Sequence, residues 1–371
     1  WTVPPIGETA SEYLTNSIEQ DGMRMATNMS RAVRYHAMAN TDYAAGLQLD
    51  APHVSLSADT VMPESLITSI QPHYQVPHAH DLPERFRYAL RIAGPLLAVS
   101  VNSPFFPPDL YDADGETVLS ECWMENRIPV FESVLNPEDS RKVAFPEDID
   151  SLDDAVDRIA SDETVVPAEI TPKGRFDDAF AHFRHKHGSF WRWVRPVFGG
   201  STRKSANARI EFRPLPGQPT VQGTVSLLAV FAGLLQSLPR REHPVYHQSW
   251  ETAEANFYAA VRDGLDADLT WITADGTETT DTGELYAELF ELARDGLELR
   301  GLGAEEANRY IQPLRARVDR RMTPARWKHD RVTERVADGE PFAQAVWGMQ
   351  SDYIDAQAET LVDGTFLEWL E

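Results

Sequence analysis

The sequence predicts an α+β protein, with an antiparallel sheet, helices packed against it and a helical C-terminal part. Three observations predict it. Short strand-like runs at 54–56, 68–76, 189–197 and 208–214 are separated from one another, a spacing that favours antiparallel pairing. Apolar residues at helical spacing fill the stretches between them. From His243 onward the pattern is almost wholly helical.

Taken in order, residues 18–39 read as a helix and 54–56 and 68–76 as strands. Residues 82–99 read as a helix: Pro83 suits a first turn, and Phe86, Leu90, Ala93 and Leu97 recur at helical spacing, with a kink expected at Pro95. Residues 137–174 are rich in Asp and Pro and read as an acidic surface insertion, in which Ser151 and Asp154 open a short amphipathic helix over 155–160. Strands at 189–197 and 208–214 follow, then a buried apolar helix over 220–238. Later, Leu285, Leu289 and Leu292 form an apolar stripe, and Gly296 stands where it would end that helix. Asp275-Gly276 and Asp281-Thr282-Gly283 are turn signals. The expected division is a core over 1–242, carrying the insertion near 137–174, and a mainly helical part over 243–371.

Composition narrows the function. The 371 residues carry a net charge of −24, and 42% of them are hydrophobic, enough for a sizeable core. Lysine occurs only at Lys142, Lys173, Lys186, Lys204 and Lys328. Carboxylate excess with scarce lysine suits concentrated salt, where self-repulsion is screened, so a halophile of haloarchaeal type is expected. The bland alternative is an acidic mesophilic protein. Either way the field repels phosphate backbones and disfavours nucleic acid. Cys122 is the only cysteine, which excludes an intrachain disulfide and fits a reducing interior. No apolar run reaches membrane-spanning length, and no signal peptide opens the chain. A cytoplasmic enzyme acting on small molecules is expected. The chain begins at Trp1, from which a processed or incomplete gene product is expected.

Several segments have chemical content. Alternation puts Gln71, His73 and Gln75 on one strand face, where oxygen and imidazole donors suit a divalent ion with a nucleotide; a solvated outer face fits the pattern equally. Arg209, Glu211 and Arg213 share a face of the next strand. A carboxylate between guanidinium forks can hold a metal beside a bound carboxylate or phosphate, and a surface ion-pair ladder fits as well. Pro216-Gly217-Gln218-Pro219-Thr220 then turns into the buried helix, and loops beside charged strands are common places for sites. Asn102-Ser103-Pro104-Phe105 is a rigid exit from a helix, by itself a structural turn. Trp191, Trp193 and Arg195 alternate onto one face, either to stack on a base or to form a half-buried wall. Cys122 lacks a nucleophile signature. Walker, Rossmann, His-Glu-x-x-His and Gly-x-Ser-x-Gly patterns are absent.

In this order the segments resemble the glutamate–cysteine ligase family, type 2, the carboxylate–amine ligases related to the glutamine synthetase superfamily. Gln71-Pro72-His73 stands where that family has His-x-His. Val101-Asn102-Ser103-Pro104-Phe105 resembles Ala-Asn-Ser-Pro-Phe, and Arg127 falls in the arginine segment that follows. Trp193-Val194-Arg195-Pro196 resembles Trp-x-x-Arg-Pro, one residue short. Ile210-Glu211-Phe212-Arg213 resembles Glu-Val-Arg, and Gln218-Pro219-Thr220 the Pro-Thr turn. Residues 254–266 are similar to a helical Asn segment, and 321–330, loosely, to a late arginine-rich stretch.

The resemblance implies a sheet forming a cupped active-site surface, closed by 243–371. It implies ATP and Mg2+, or Mn2+, as cofactors, and glutamate with cysteine or another amine as substrates. Glu211, His73 and Gln71 would be metal ligands. Arg213 and Arg127 would be catalytic; Asn102, Ser103 and Arg127 would bind substrate; Trp193, Arg195 and Arg209 would bind nucleotide. No Gly-x-Glu-Glu-Glu-Phe strand is found, so an N-terminally incomplete or diverged member is expected. The alternative is an inactive binding or regulatory module of the same fold. A homo-oligomer is compatible with either; nucleic acid and membrane partners are not expected.

Overall fold

A computed structural model of the chain describes residues 9–26, 33–40, 47–136, 141–166 and 169–370. It is mixed α and β, with small antiparallel sheets and a helical C-terminal part. Helix α1 (Ala10–Thr15) starts on a capping box in which Thr9 and Glu12 satisfy each other's N–H groups. Residues 18–39 do not form the expected helix. Strands β1 (Ser17–Gln20) and β2 (Met23–Ala26) pair as a hairpin, and among the described residues of that range α2 (Val33–Ala39) is the helical part; 27–32 lie outside the described residues. The cause is Asp21-Gly22, both at positive φ (54° and 73°), the two-residue turn whose twist suits a hairpin. A second hairpin joins β3 (Leu47–Ala51) and β4 (Val54–Ala58).

The central sheet has three antiparallel strands in the order β5 (His73–Gln75), β7 (Asn207–Phe212), β6 (Val194–Gly199). Strand β5 is shorter than the predicted 68–76 because Pro72 has no N–H to give the ladder. The preceding residues still follow β7's continuation: the Ile70 N–H donates to the Leu215 carbonyl at 2.8 Å. Alternation on β7 buries Ile210 and Phe212, both 0% exposed, and turns Arg209 and Glu211 to the opposite face. The helix predicted over 82–99 is two helices, α3 (Leu82–Arg91) and α4 (Ala93–Ala98). Pro95 clashes with the carbonyl four residues earlier, that of Arg91, and the break falls there.

After the Asn102–Phe105 exit come α5 (Gly115–Glu121) and α6 (Arg127–Leu135). The acidic segment supplies α7 (Leu152–Ser161), whose N-cap Ser151 accepts from the Asp154 N–H as predicted; α8 (Ala181–Gly188) follows it. Helix α9 (Val221–Ser237) is capped by Thr220 and stacks Phe231 on Phe212 at 4.6 Å between ring centroids. Then come α10 (Trp250–Asp263), a short hairpin of β8 (Trp271–Ile272) and β9 (Glu278–Thr279) around Asp275-Gly276, α11 (Thr282–Leu299), α12 (Ala304–Asp319), α13 (Pro324–Ala337) and α14 (Phe342–Thr360).

Helix α11 does not end at Gly296, which lies inside it and permits its crossing with α9. A Cβ on Gly296 would sit 1.8 Å from the Gly233 carbonyl oxygen, and one on Gly233 2.2 Å from that of Ala293. One apolar core runs through the sheet and these helices. A second, around Trp327, Met349 and Tyr353, joins α13 and α14 to Phe105 and α5.

Candidate active site

The polar face of the central sheet carries a row of three side chains. His73 on β5 and Arg195 on β6 stand directly opposite Glu211 on β7, one on each side. Arg195 donates from Nε and Nη2 to the two carboxylate oxygens, at 3.0 and 3.1 Å. This is the bidentate fork that suits guanidinium and carboxylate. Arg195 is itself fixed by carbonyls at the end of α8, its Nη1 donating to Phe190 at 2.9 Å and His187 at 3.2 Å. Arg213 Nε lies 3.4 Å from the same carboxylate, and His73 Nε2 lies 3.7 Å away. Arg209, one row along and opposite Gln75, has a buried Nε without a hydrogen bond.

Burial dominates the electrostatics. It pushes Arg213 down to about 10, with Arg195 acting the same way and Glu211 opposing, so Arg213 stays cationic at neutral pH. Partial burial also lowers His73 from its ordinary value. Glu211 opposes that shift, while Arg209 and Arg195 add to it. A neutral imidazole able to act as a ligand is the result. From the short turn Met62–Leu66, Glu64 comes within the influence of Arg213. Its carboxyl is pushed up to about 7 by burial, with Arg213 pulling it back, and its buried Oε1 makes no hydrogen bond.

A second cluster lies below, around the Asn102–Ser103 loop. Glu125, fully buried, accepts from the Asn102 N–H at 3.0 Å and from Arg127 Nε at 3.1 Å. Arg127 Nη2 donates to the Pro214 carbonyl just beyond β7, while its buried Nη1 has no partner. Asn102 Nδ2 donates to the Gly217 carbonyl at 2.7 Å and to the Tyr353 hydroxyl at 3.1 Å. Lys328 Nζ donates to the Asn102 carbonyl at 2.8 Å and sits 4.0 Å from the Tyr353 ring centroid. Burial pushes Lys328 down to about 7, with Glu125 opposing. Ser103 joins through its carbonyl, which accepts from the Asn126 N–H at 2.9 Å.

The predicted site residues thus fall into two adjoining groups: His73, Arg195, Arg209, Glu211 and Arg213 on the sheet face, and Asn102, Ser103 and Arg127 beneath the exit of β7. Two others stand apart. Gln71 precedes β5, is exposed, and donates its amide to Ser69 Oγ at 2.9 Å. Trp193 precedes β6 and is 1% exposed; its Nε1 donates to Glu132 at 2.7 Å and its ring meets Phe131 edge-on. Sequence reading missed Glu64, Glu125, Lys328 and Tyr353. Glu125 stands two residues before Arg127, and Lys328 is one of five lysines; those were the available signals. Among the described residues, no three His, Cys, Asp or Glu side chains converge to hold a metal ion.

Two comparisons bear on this arrangement. The family model described as glutamate-cysteine ligase family 2 matches residues 14–351. No curated protein matches the chain.

Proposed function

The chain belongs to glutamate-cysteine ligase family 2, a family of ATP-dependent carboxylate–amine ligases, and on that premise we propose that it joins the γ-carboxylate of glutamate to an amine, cysteine first among candidates. In the first step a γ-carboxylate oxygen attacks the terminal phosphorus of ATP, forming an acyl phosphate and releasing ADP. In the second the amine attacks the acyl carbon, phosphate leaves, and the nitrogen loses its proton. Both steps gather negative charge, and positioned cations are the physical requirement.

The observation that carries this reading is the excess of buried cations in so acidic a protein. Around the single carboxylate of Glu211 stand Arg195 and Arg213, with Arg209 one row away. Arg127 Nη1 and Arg209 Nε are buried without partners, and such donors call for an anion. In this reading Arg213 faces the transferring phosphoryl group and Arg195 and Arg209 the remaining phosphates. Arg127, with the Asn102–Ser103 loop, holds the glutamate carboxylate. Trp193 acts from the core by fixing the start of β6. Lys328 and Tyr353 tie the region 243–371 to that loop, which supports its closing the site over a core at 1–242.

Magnesium does not find a protein cage here: Glu211 is occupied by Arg195, His73 Nε2 lies 3.7 Å from it, and among the described residues no three His, Cys, Asp or Glu side chains converge. That suits magnesium arriving as part of the ATP substrate, because this ion is commonly held by one or two carboxylates plus phosphates and water. Glu211 and His73 would be the protein's contribution, to Mn2+ as to Mg2+. The substrates named are those of a cytoplasmic enzyme.

The test is ADP release in high potassium chloride with ATP, magnesium and glutamate, with and without cysteine. ADP that requires glutamate and rises with cysteine establishes the ligase. The closed Arg195–Glu211 pair favours one second reading, a module that binds ligands without turnover. ATP binding with no glutamate-dependent ADP, in a folded chain, would select it.

A further inference from the structure

Beyond Glu211, the central sheet ends in an apolar groove of about 670 Å³. Gln75, Gly199 and Asn207 form its floor, and Phe176, Phe180 and Phe183, which follow the acidic insertion, line it from above. Phe176 and Phe180 meet edge to face at 6.1 Å yet are 45% and 55% exposed. Large aromatic surface left open beside a groove marks a place where something flat and apolar docks.

The segment that supplies most of the groove's lining is basic, while the lining's own carboxylate, Asp177, is paired with Arg175 and Arg184. Residues 173–213 carry ten lysines and arginines against three carboxylates, in a protein of net charge −24. Lys173, Lys186 and Lys204 lie in this stretch, three of the five lysines. The occupant suited to it is therefore anionic as well as flat, and a cationic amine is disfavoured. Arg209 links the groove to the cluster at Glu211. It stands two residues from Glu211, and a Cβ on Gly199 would lie 3.2 Å from its Nη2. The four residue steps from Asn207 to Glu211 span roughly 14 Å of antiparallel strand, comparable with a ribose and an extended triphosphate.

One polar atom on the floor is unmatched. Asn207 Nδ2 donates to the Ser205 carbonyl at 2.9 Å, which leaves Oδ1 as a buried acceptor without a donor. A base with an exocyclic amino group supplies that donor; a base with a carbonyl there does not.

We propose that this groove seats the base of the nucleoside triphosphate, with Phe176 and Phe180 against the ring and Asn207 Oδ1 accepting from an exocyclic amino group such as that of adenine. The phosphates run past Arg209 toward Arg195 and Arg213. The assignment rests on the ligase reading and adds the nucleotide seat to it. It gives the segment after the insertion a role in binding.

The test is calorimetric titration in high potassium chloride with the magnesium complexes of ATP, ITP and inorganic tripolyphosphate. ITP replaces the amino group of ATP by a carbonyl, and tripolyphosphate has no base. The unaltered chain should bind ATP more tightly than ITP. Phe180→Ala and the double variant Phe176→Ala with Phe180→Ala should raise the Kd for ATP about tenfold or more, the loss of a base–aromatic stack, and leave tripolyphosphate unchanged. Asn207→Leu should abolish the preference for ATP over ITP. Both phenylalanines are exposed, so circular dichroism should show their variants folded. If the Phe variants weaken ATP and tripolyphosphate alike, or neither, the groove assignment is overturned and the ligase reading stands. If the unaltered chain binds neither ATP nor tripolyphosphate, the ligase reading falls and the assignment with it.

Discussion

Arg195 reaches across from β6 and closes on both oxygens of Glu211, at 3.0 and 3.1 Å. The carboxylate at the centre of the site is thus held by the protein's own cation, with Arg213 3.4 Å away. Glu211→Gln would leave two buried guanidiniums without their counter-charge. A loss of about 3–5 kcal/mol in folding stability is expected, together with loss of glutamate-dependent ADP release. Urea titration in high potassium chloride reads the first, and the coupled ADP assay the second. Because the defect is missing negative charge, ATP should raise the melting temperature of the variant more than that of the unaltered chain. An equal rise in both would show that the anion does not enter beside these arginines.

Lys328 gives a pH prediction with a definite sign. Its amine is pushed from 10.5 down to about 7 by burial. Between those values the unfolded chain binds a proton that the folded chain refuses, so stability contributed by this group rises with pH there. It is fully present above the unfolded value and is lost as pH falls through about 7. Lys328→Met removes the group. Urea midpoints at pH 7, 8.5 and 10 should climb more steeply in the unaltered chain than in the variant. Parallel profiles would show that Lys328 is charged in the folded state.

Much of the fold was legible because local rules and tertiary packing agree. Thr220 caps α9, Ser151 caps α7, and the alternation along 208–214 gives β7 its polar and apolar faces. The misreadings have separate causes. Within 18–39, Asp21-Gly22 is a turn signal whose positive-φ backbone overrides the expected helix. At Gly296, a residue that often ends helices was selected for a close helix crossing, which no single-chain pattern reveals. At the site, Arg195, Arg209, Glu211 and Arg213 were legible because strand alternation puts them on shared faces. Glu64, Lys328 and Tyr353 reach it from distant segments, through tertiary contacts that leave no periodic trace. Alternation predicts that Trp193 shares a face with Arg195, but β6 begins only at Val194, so alternation does not govern it.

The crossing of α9 and α11 predicts a large effect from one methyl group. Gly296→Ala would place Cβ 1.8 Å from a backbone oxygen of Gly233, and backbone cannot swing aside as a flexible side chain can. The helices must separate, opening the core around Phe231, Leu234 and Leu289. We expect destabilisation of about 3 kcal/mol or more, at the upper end of overpacking effects. Gly303→Ala, with open space around its Cβ, is the control and should be near neutral. Thermal melts of the two variants in high potassium chloride check this; equal melting temperatures would mean that the crossing is looser than described.

Salt should control whether the chain folds at all. It has 58 acidic residues against 34 basic ones, and the basic residues are concentrated in 173–213, so the remainder is more one-sided than the net charge suggests. At physiological ionic strength charges interact over about 8 Å, and at 1 M over about 3 Å, so concentrated salt removes most of the repulsion among carboxylates on separate helices. Buried pairs such as Arg127–Glu125 are screened far less and should persist. Salt should therefore raise stability by relieving repulsion rather than lower it by weakening ion pairs. Far-UV circular dichroism during dialysis from high to low potassium chloride should show progressive loss of helix, reversed when salt is returned. Unchanged ellipticity and melting temperature at low salt would mean that the acidic surface is tolerated without screening, and the halophile reading would be abandoned.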